Sequence, residues 1–218
     1  MTTDVVHDAE FNPYVDNGGT VVAVAGADFA MVGADTRLSE GYNVLSRDAR
    51  KLHPLTSRVV LGAAGMHADV GRLVKQLRAE ATGYRLKAQR EIQLAQLSRV
   101  LSVGMYQRRS FPWYTATVLA GLDAEGRGAV YTYDVIGSVL RTQYSVAGSG
   151  HAIVYPIIDE ALLSLNQPEE MTRERAFALI TAAFEACAER DIYTGDQLVI
   201  SCIDAAGIRD RVIQLRKD

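Results

Sequence analysis

The sequence predicts an α+β domain built as a four-layer αββα sandwich, two sheets face to face with helices outside. Three observations lead there. Apolar runs such as TVVAVA and FAMVGAD are rich in Val and Ala and lack a polar face, as strands covered on both sides do. Two helical stretches follow one another between groups of strands, and a second pair does so further on. The order is therefore strands, two helices, strands, two helices, two strands, and a layered sandwich is the simplest way to bury it.

The elements follow in order. Residues 1–18 lack periodicity and read as an extended N-terminal arm, leaving 19–218 as one domain. Thr20–Ala25 and Phe29–Asp35 read as strands around a tight turn at Gly26-Ala27-Asp28, and Ser57–Ala64 as a third strand. Over 67–87, Val70, Leu73, Val74 and Leu77 recur at helical spacing, with Arg72, Lys75, Gln76 and Arg78 between them. A second helix fits 91–108, where Ile92, Leu94, Ala95, Leu97, Val100, Leu101 and Met105 form an apolar face; Arg108 and Arg109 suit its C-terminus.

Strands return at Thr115–Leu122 and Gly128–Asp134, joined by Asp123-Ala-Glu-Gly-Arg as a hairpin. Shorter strands fit Val139–Arg141 and Tyr144–Ala147. Helices fit 150–164 and 173–189, with Pro168 and Thr172 near the second start and Glu169 and Glu170 as a solvated approach to it. A hairpin, Gln197–Ile203 and Ile208–Leu215, turned at Asp204-Ala-Ala-Gly207, closes the chain.

Bulk properties narrow the function. The chain has 218 residues, enough for a full core, and its net charge of -3 gives no basic footprint for nucleic acid. The N-terminal stretch is acidic and polar, unlike a signal peptide, and the longest apolar run is too short to span a bilayer. The expected location is cytoplasm and nucleus. Cys187 and Cys202 match no zinc or redox spacing and read as reduced thiols. His7, His53, His67 and His151 stand at no metal-ligand spacing, so neither a metal nor a cofactor is expected.

The candidate chemistry is sparse. Ser149 lies in AGSGH, but a nucleophile elbow needs Gly two residues before and after the Ser, and here the glycines are immediate neighbours. Asp35 and Lys51 stand sixteen residues apart, and Gly19 stands sixteen before Asp35. A Lys beside a carboxylate can have its pKa tuned for proton transfer, and it can equally be a plain ion pair. Tyr106, Trp113 and Tyr114 near Arg108 and Arg109 mark either a subunit contact or a helix end packed on a sheet, and Met66 reads as core.

The segments FNPYVDNGGT, ADTRLSEG, RDARKLHPL, RVVLGAAGMHAD, YQRRSFPWY, GLDAEGRGAVY, AGSG, AERDIYTGDQL and the ending LRKD together resemble the beta subunits of the 20S proteasome, from about Phe11 to Asp218. The resemblance implies an N-terminal-nucleophile hydrolase fold. Active members of that family cut after a Gly to expose a threonine, whose hydroxyl attacks the peptide carbonyl while its free amine, a Lys and an Asp handle the proton. By this resemblance Asp35 and Lys51 match the family Asp and Lys. Ser149 matches the Ser of Gly-Ser-Gly, Asp191 the later Asp, and Thr194 stands where active members usually carry Ser.

The family's nucleophile position falls on Gly19, which has no hydroxyl. Thr20 is one residue away, but side chains alternate faces along a strand, so a slip of one residue sends its hydroxyl to the other side. The expectation is a vestigial cluster in a non-catalytic subunit; the alternative is a threonine endopeptidase using Thr20 after cleavage at Gly19. The resemblance further implies partners: other beta subunits in a seven-membered ring, alpha-ring subunits, a second beta ring, and regulatory caps through the assembled particle. The uncut arm would be free to lie on neighbours, with Phe11, Pro13 and Tyr14 as anchors.

Overall fold

In the first strand, β1 (Thr20–Ala25), every residue is buried, and successive side chains enter two different apolar layers. Val22 and Val24 join a cluster with Val154, Ile158, Ile180 and Phe184 from two helices. Val21, Ala23 and Ala25 join Val60, Val118 and Val130 from other strands. A strand with a helix layer on one face and a second sheet on the other has no reason to carry a polar residue, which accounts for TVVAVA.

A computed structural model describes residues 12–163 and 171–217. Further strands are β2 (Ala30–Asp35), β3 (Leu38–Glu40), β4 (Asn43–Ser46), β5 (Leu52–Thr56) and β6 (Val59–Gly65). Helices α1 (His67–Ala88) and α2 (Leu94–Tyr106) come next. After them lie β7 (Thr115–Leu122), β8 (Gly128–Tyr133), β9 (Val139–Thr142) and β10 (Tyr144–Gly148). Helices α3 (His151–Leu163) and α4 (Arg173–Ala188) precede the closing hairpin of β11 (Gln197–Asp204) and β12 (Gly207–Gln214).

One five-stranded sheet has the order β10-β1-β2-β11-β12, and the other β5-β6-β7-β8-β9. All their neighbouring strands pair antiparallel. Helices α3 and α4 cover the first sheet, while α1 and α2 cover the second through Leu73, Leu77, Leu97, Leu101 and Met105 packed on Leu61 and Leu119. This is the expected αββα sandwich.

Several local expectations need correction. The chain between 38 and 56 carries three strands that no alternation announces. β3 and β4 form a separate two-stranded ribbon with Tyr42 at its exposed tip, and Pro54 sits in β5, an edge strand, where a missing N–H is tolerated. Helix α2 starts at Leu94, not 91, because Gln93 and Gln96 form a reciprocal capping box there. Its buried stripe takes in Ser98 and Ser102 while Ala95 is exposed, and the Ser102 hydroxyl donates to the Gly137 carbonyl. Met66 is half-buried at the start of α1 and is not core. Trp113 is core, with the Arg108 guanidinium 4.1 Å over its ring, whereas Tyr106 and Tyr114 remain exposed.

At α4, the Thr172 hydroxyl accepts from the Arg175 N–H as an N-cap should. Phe11, Pro168, Glu169 and Glu170 lie outside the described residues. Both cysteines are free thiols. Among the described residues no helix is long and apolar enough to cross a membrane, and no group of His, Cys, Asp and Glu is placed to hold a metal ion.

Candidate functional site

The site forms where β1 begins. Alternation along the strand puts Thr20 on the face of Val22 and Val24, toward the helices. It is fully buried. Its hydroxyl accepts from the Gly150 N–H at 2.9 Å and lies 2.7 Å from the Thr194 hydroxyl. Thr194 spends its own proton on Asp191 Oδ2 at 2.6 Å, so Thr20 must be the donor between the two threonines. Ser149 also donates to Asp191 Oδ2, at 2.7 Å. Beside this chain of hydroxyls lies the buried Cys187, whose thiol burial pushes up to about 11, leaving it un-ionised.

Gly19 belongs to the opposite face. Its φ is +89°, and a Cβ built on it would fall 2.2 Å from Lys51 Cε and 2.6 Å from Nζ. Lys51 thus fills the space a side chain at position 19 would need. Its backbone lies just before β5 of the other sheet, its carbonyl accepting from the Ala63 N–H, so its side chain crosses between sheets to reach the end of β2.

All three ammonium protons of Lys51 are used there, on Asp35 Oδ2 at 3.0 Å, the Asp35 carbonyl at 3.2 Å and the Arg37 carbonyl. The Asp35 carboxylate is equally saturated. It accepts from the N–H groups of Thr20 at 2.9 Å, Arg37 at 3.1 Å and Gly195 at 3.3 Å. Burial pushes the Asp35 carboxyl above its ordinary range and the Lys51 amine below its own, while attraction within the pair opposes both shifts.

The residues that the resemblance singled out meet around this strand start, but in two groups. Lys51 and Asp35 face the bare Gly19, while Ser149, Asp191 and Thr194 gather with Thr20. The Gly19 carbonyl accepts from the Ser149 N–H at 3.0 Å, linking the groups.

The sequence reading missed three participants. Arg37, only 4% exposed, donates from Nε to Asp196 at 2.9 Å and from a terminal nitrogen to the Ile192 carbonyl at 3.0 Å, tying β2 to the segment after α4. Asn17 reaches from the arm into the domain. Arg37 and Asp196 lay within the quoted ADTR and TGDQL, where the pairing of Arg with Asp was an available signal; for Asn17 no periodic signal existed. A cleft of about 530 Å³ opens beside Gly18 and Ser149, between β10 and the β7–β8 edge, and Thr115, Tyr133 and His151 also line it.

A four-layer αββα sandwich with a lysine–carboxylate pair beneath the first residues of its first strand is the N-terminal-nucleophile hydrolase fold, here with glycine facing the lysine. The comparisons with known proteins agree. The family model described as Proteasome subunit matches residues 15–203. The chain is 42% identical over 213 residues to Proteasome subunit beta type-1 of Danio rerio, covering 96% of this chain and 90% of that protein. It is 41% identical over 218 residues to the protein of the same name in Arabidopsis thaliana, covering 96% and 98%. The protein of that name in Drosophila melanogaster is 40% identical over 215 residues, covering 96% and 92%. The chain belongs to the proteasome subunit family.

Proposed function

We propose that this chain is a non-catalytic beta-type subunit of a 20S proteasome core particle, at the sixth position of the beta ring. Its work is to complete a seven-membered ring with other beta subunits, against an alpha ring on one side and a second beta ring on the other, so that subunits with intact nucleophiles can degrade protein in the enclosed chamber. Regulatory caps reach it through the assembled particle. Cytoplasm and nucleus are the locations that go with this role.

The observation that carries the reading is Gly19. The side chain that would face Lys51 is absent, and Lys51 occupies its space. Thr20 offers no substitute. Its hydroxyl is fully buried on the other face and 2.7 Å from Thr194, its amide N–H is spent on Asp35, and Lys51 spends its three protons on Asp35 and Arg37. A nucleophile must reach both a substrate carbonyl and a base, and this hydroxyl is walled off from solvent.

The test is the intact mass of the chain from the native particle, together with labelling by a threonine-directed electrophile. A chain beginning upstream of Gly19 and left unlabelled is expected. A chain beginning at Thr20 and labelled there would overturn the proposal in favour of a threonine endopeptidase.

A further inference from the structure

Asn17 and Gly18, the end of the expected arm, are held inside the domain, while Asp16 stays exposed. Asn17 is only 7% exposed. Its carbonyl accepts from the Ser39 N–H at 3.2 Å, and its side-chain amide donates back to the Ser39 carbonyl at 3.0 Å. The side chain thereby supplies a second bond to Ser39, on the free edge of β3.

The other side-chain atom, Oδ1, accepts from the N–H of His67 at 2.9 Å. His67 opens α1, and Met66 before it provides no side-chain cap. The first N–H groups of a helix have no partner within it, and Asn is among the best residues for satisfying them. Here the cap comes from fifty residues earlier in the chain.

The neighbours of Asn17 are fixed as well. The Gly18 carbonyl accepts from the Gly65 N–H at 3.3 Å. Gly18 itself has φ +66° and packs against Tyr193, where an added Cβ would come within 2.5 Å of the Tyr193 Cβ and 2.8 Å of its ring. The Asp16 carboxylate accepts from the Gly18 N–H at 2.9 Å. Further out, the Tyr14 ring stacks on Phe111 at 5.2 Å between centroids, and its hydroxyl donates to the Pro112 carbonyl at 2.8 Å. Tyr14 therefore anchors the arm to its own domain, while Pro13 stays exposed.

We propose that the uncut end of the arm is a permanent structural part of this subunit: Asn17 and Gly18 lie between Ser39 and Gly65, and Asn17 bolts the β3–β4 ribbon to the start of α1. Release of the residues before Gly19 would then leave the His67 N–H without its cap, the β3 edge without its partner and the Gly65 N–H without an acceptor. Retention of the arm is a requirement of the fold rather than a passive result of a lost nucleophile. This goes beyond the absence of catalysis and does not depend on it.

Hydrogen exchange in the assembled particle tests the inference, read at the His67 amide in the full chain and in two variants. Asn17→Ala removes the acceptor, and exchange at His67 should accelerate roughly five- to tenfold, the loss expected for a helix cap. Asn17→Asp keeps the acceptor for His67 but sets a second oxygen against the Ser39 carbonyl in place of the amide donor, so exchange at His67 should fall between that of Asn17→Ala and that of the unaltered chain. A third chain, lacking residues 1–18, should enter particles poorly. Unchanged exchange at His67 in Asn17→Ala would overturn the proposal, as would full incorporation of the shortened chain with unaltered thermal stability. Neither result would touch the non-catalytic reading, which stands or falls on labelling of Thr20.

Discussion

The two faces of one strand start carry two halves of one polar cluster. On the face between the sheets stand Lys51 and Asp35, an amine and a carboxylate 3.0 Å apart, with glycine opposite. On the face toward the helices stands Thr20, a hydroxyl in line with Thr194 and Asp191, with no route to solvent. Each face alone is well satisfied in hydrogen bonds, and neither alone can attack a peptide. Register teaches the lesson: a single residue decides whether a hydroxyl meets the lysine or a buried polar chain behind the sheet.

The largest effect should come from disarming the first face. Lys51→Met leaves Asp35 a buried carboxylate without its counter-ion and two backbone carbonyls without a donor, so stability should fall by about 3–5 kcal/mol. Thermal unfolding and incorporation yield measure this, and an unchanged Tm would show the pair dispensable. Adding Asp35→Asn should recover part of the loss, because the uncompensated charge disappears.

An attempt to reunite the two halves comes next. Gly19→Thr places a β-branched residue at φ +89° and drives its Cβ into Lys51, costing about 1–3 kcal/mol, and no peptidase activity should appear at this subunit. If residue 19 were cut free and took up a threonine-directed electrophile, Lys51 would have moved aside and the comparison would break.

On the second face, Thr20→Val removes the donor to Thr194 and the acceptor of a buried N–H from Gly150, a loss of about 1–3 kcal/mol. Thr20→Ser should keep most of that stability. Peptidase activity of the particle should be unaltered in both, and a specific drop with Val at full assembly would mean that Thr20 takes part in catalysis.

The smallest effect concerns His53, two residues beyond Lys51 in β5. Its Nε2 is buried without a partner. Burial first, then the positive charges of Arg78 and Arg50, lower its pKa from 6.5 to about 4. The folded pKa is depressed, so between those values the unfolded chain binds more protons. Stability should therefore fall as pH drops from 6.5 toward 4, and His53→Leu should flatten that slope. A slope that survives the substitution would point to another group.

The sequence by itself determined the layered architecture. Runs of Val and Ala without a polar face, and helical spacing at Val70, Leu73, Val74 and Leu77, are local patterns imposed by burial, and they remain legible in one dimension. It also determined that position 19 carries no hydroxyl, since a glycine has no side chain in any fold. The three strands between 38 and 56 were hidden because a short exposed ribbon and an edge strand bury too little to enforce alternation.

Tertiary structure alone decided which partners the buried charges and the arm residues meet. That Lys51 bridges two sheets, that Arg37 meets Asp196 across 159 residues, and that Asn17 caps a helix fifty residues later are pairings between distant segments. Such contacts obey the geometry of packed layers, and no periodicity along the chain records them.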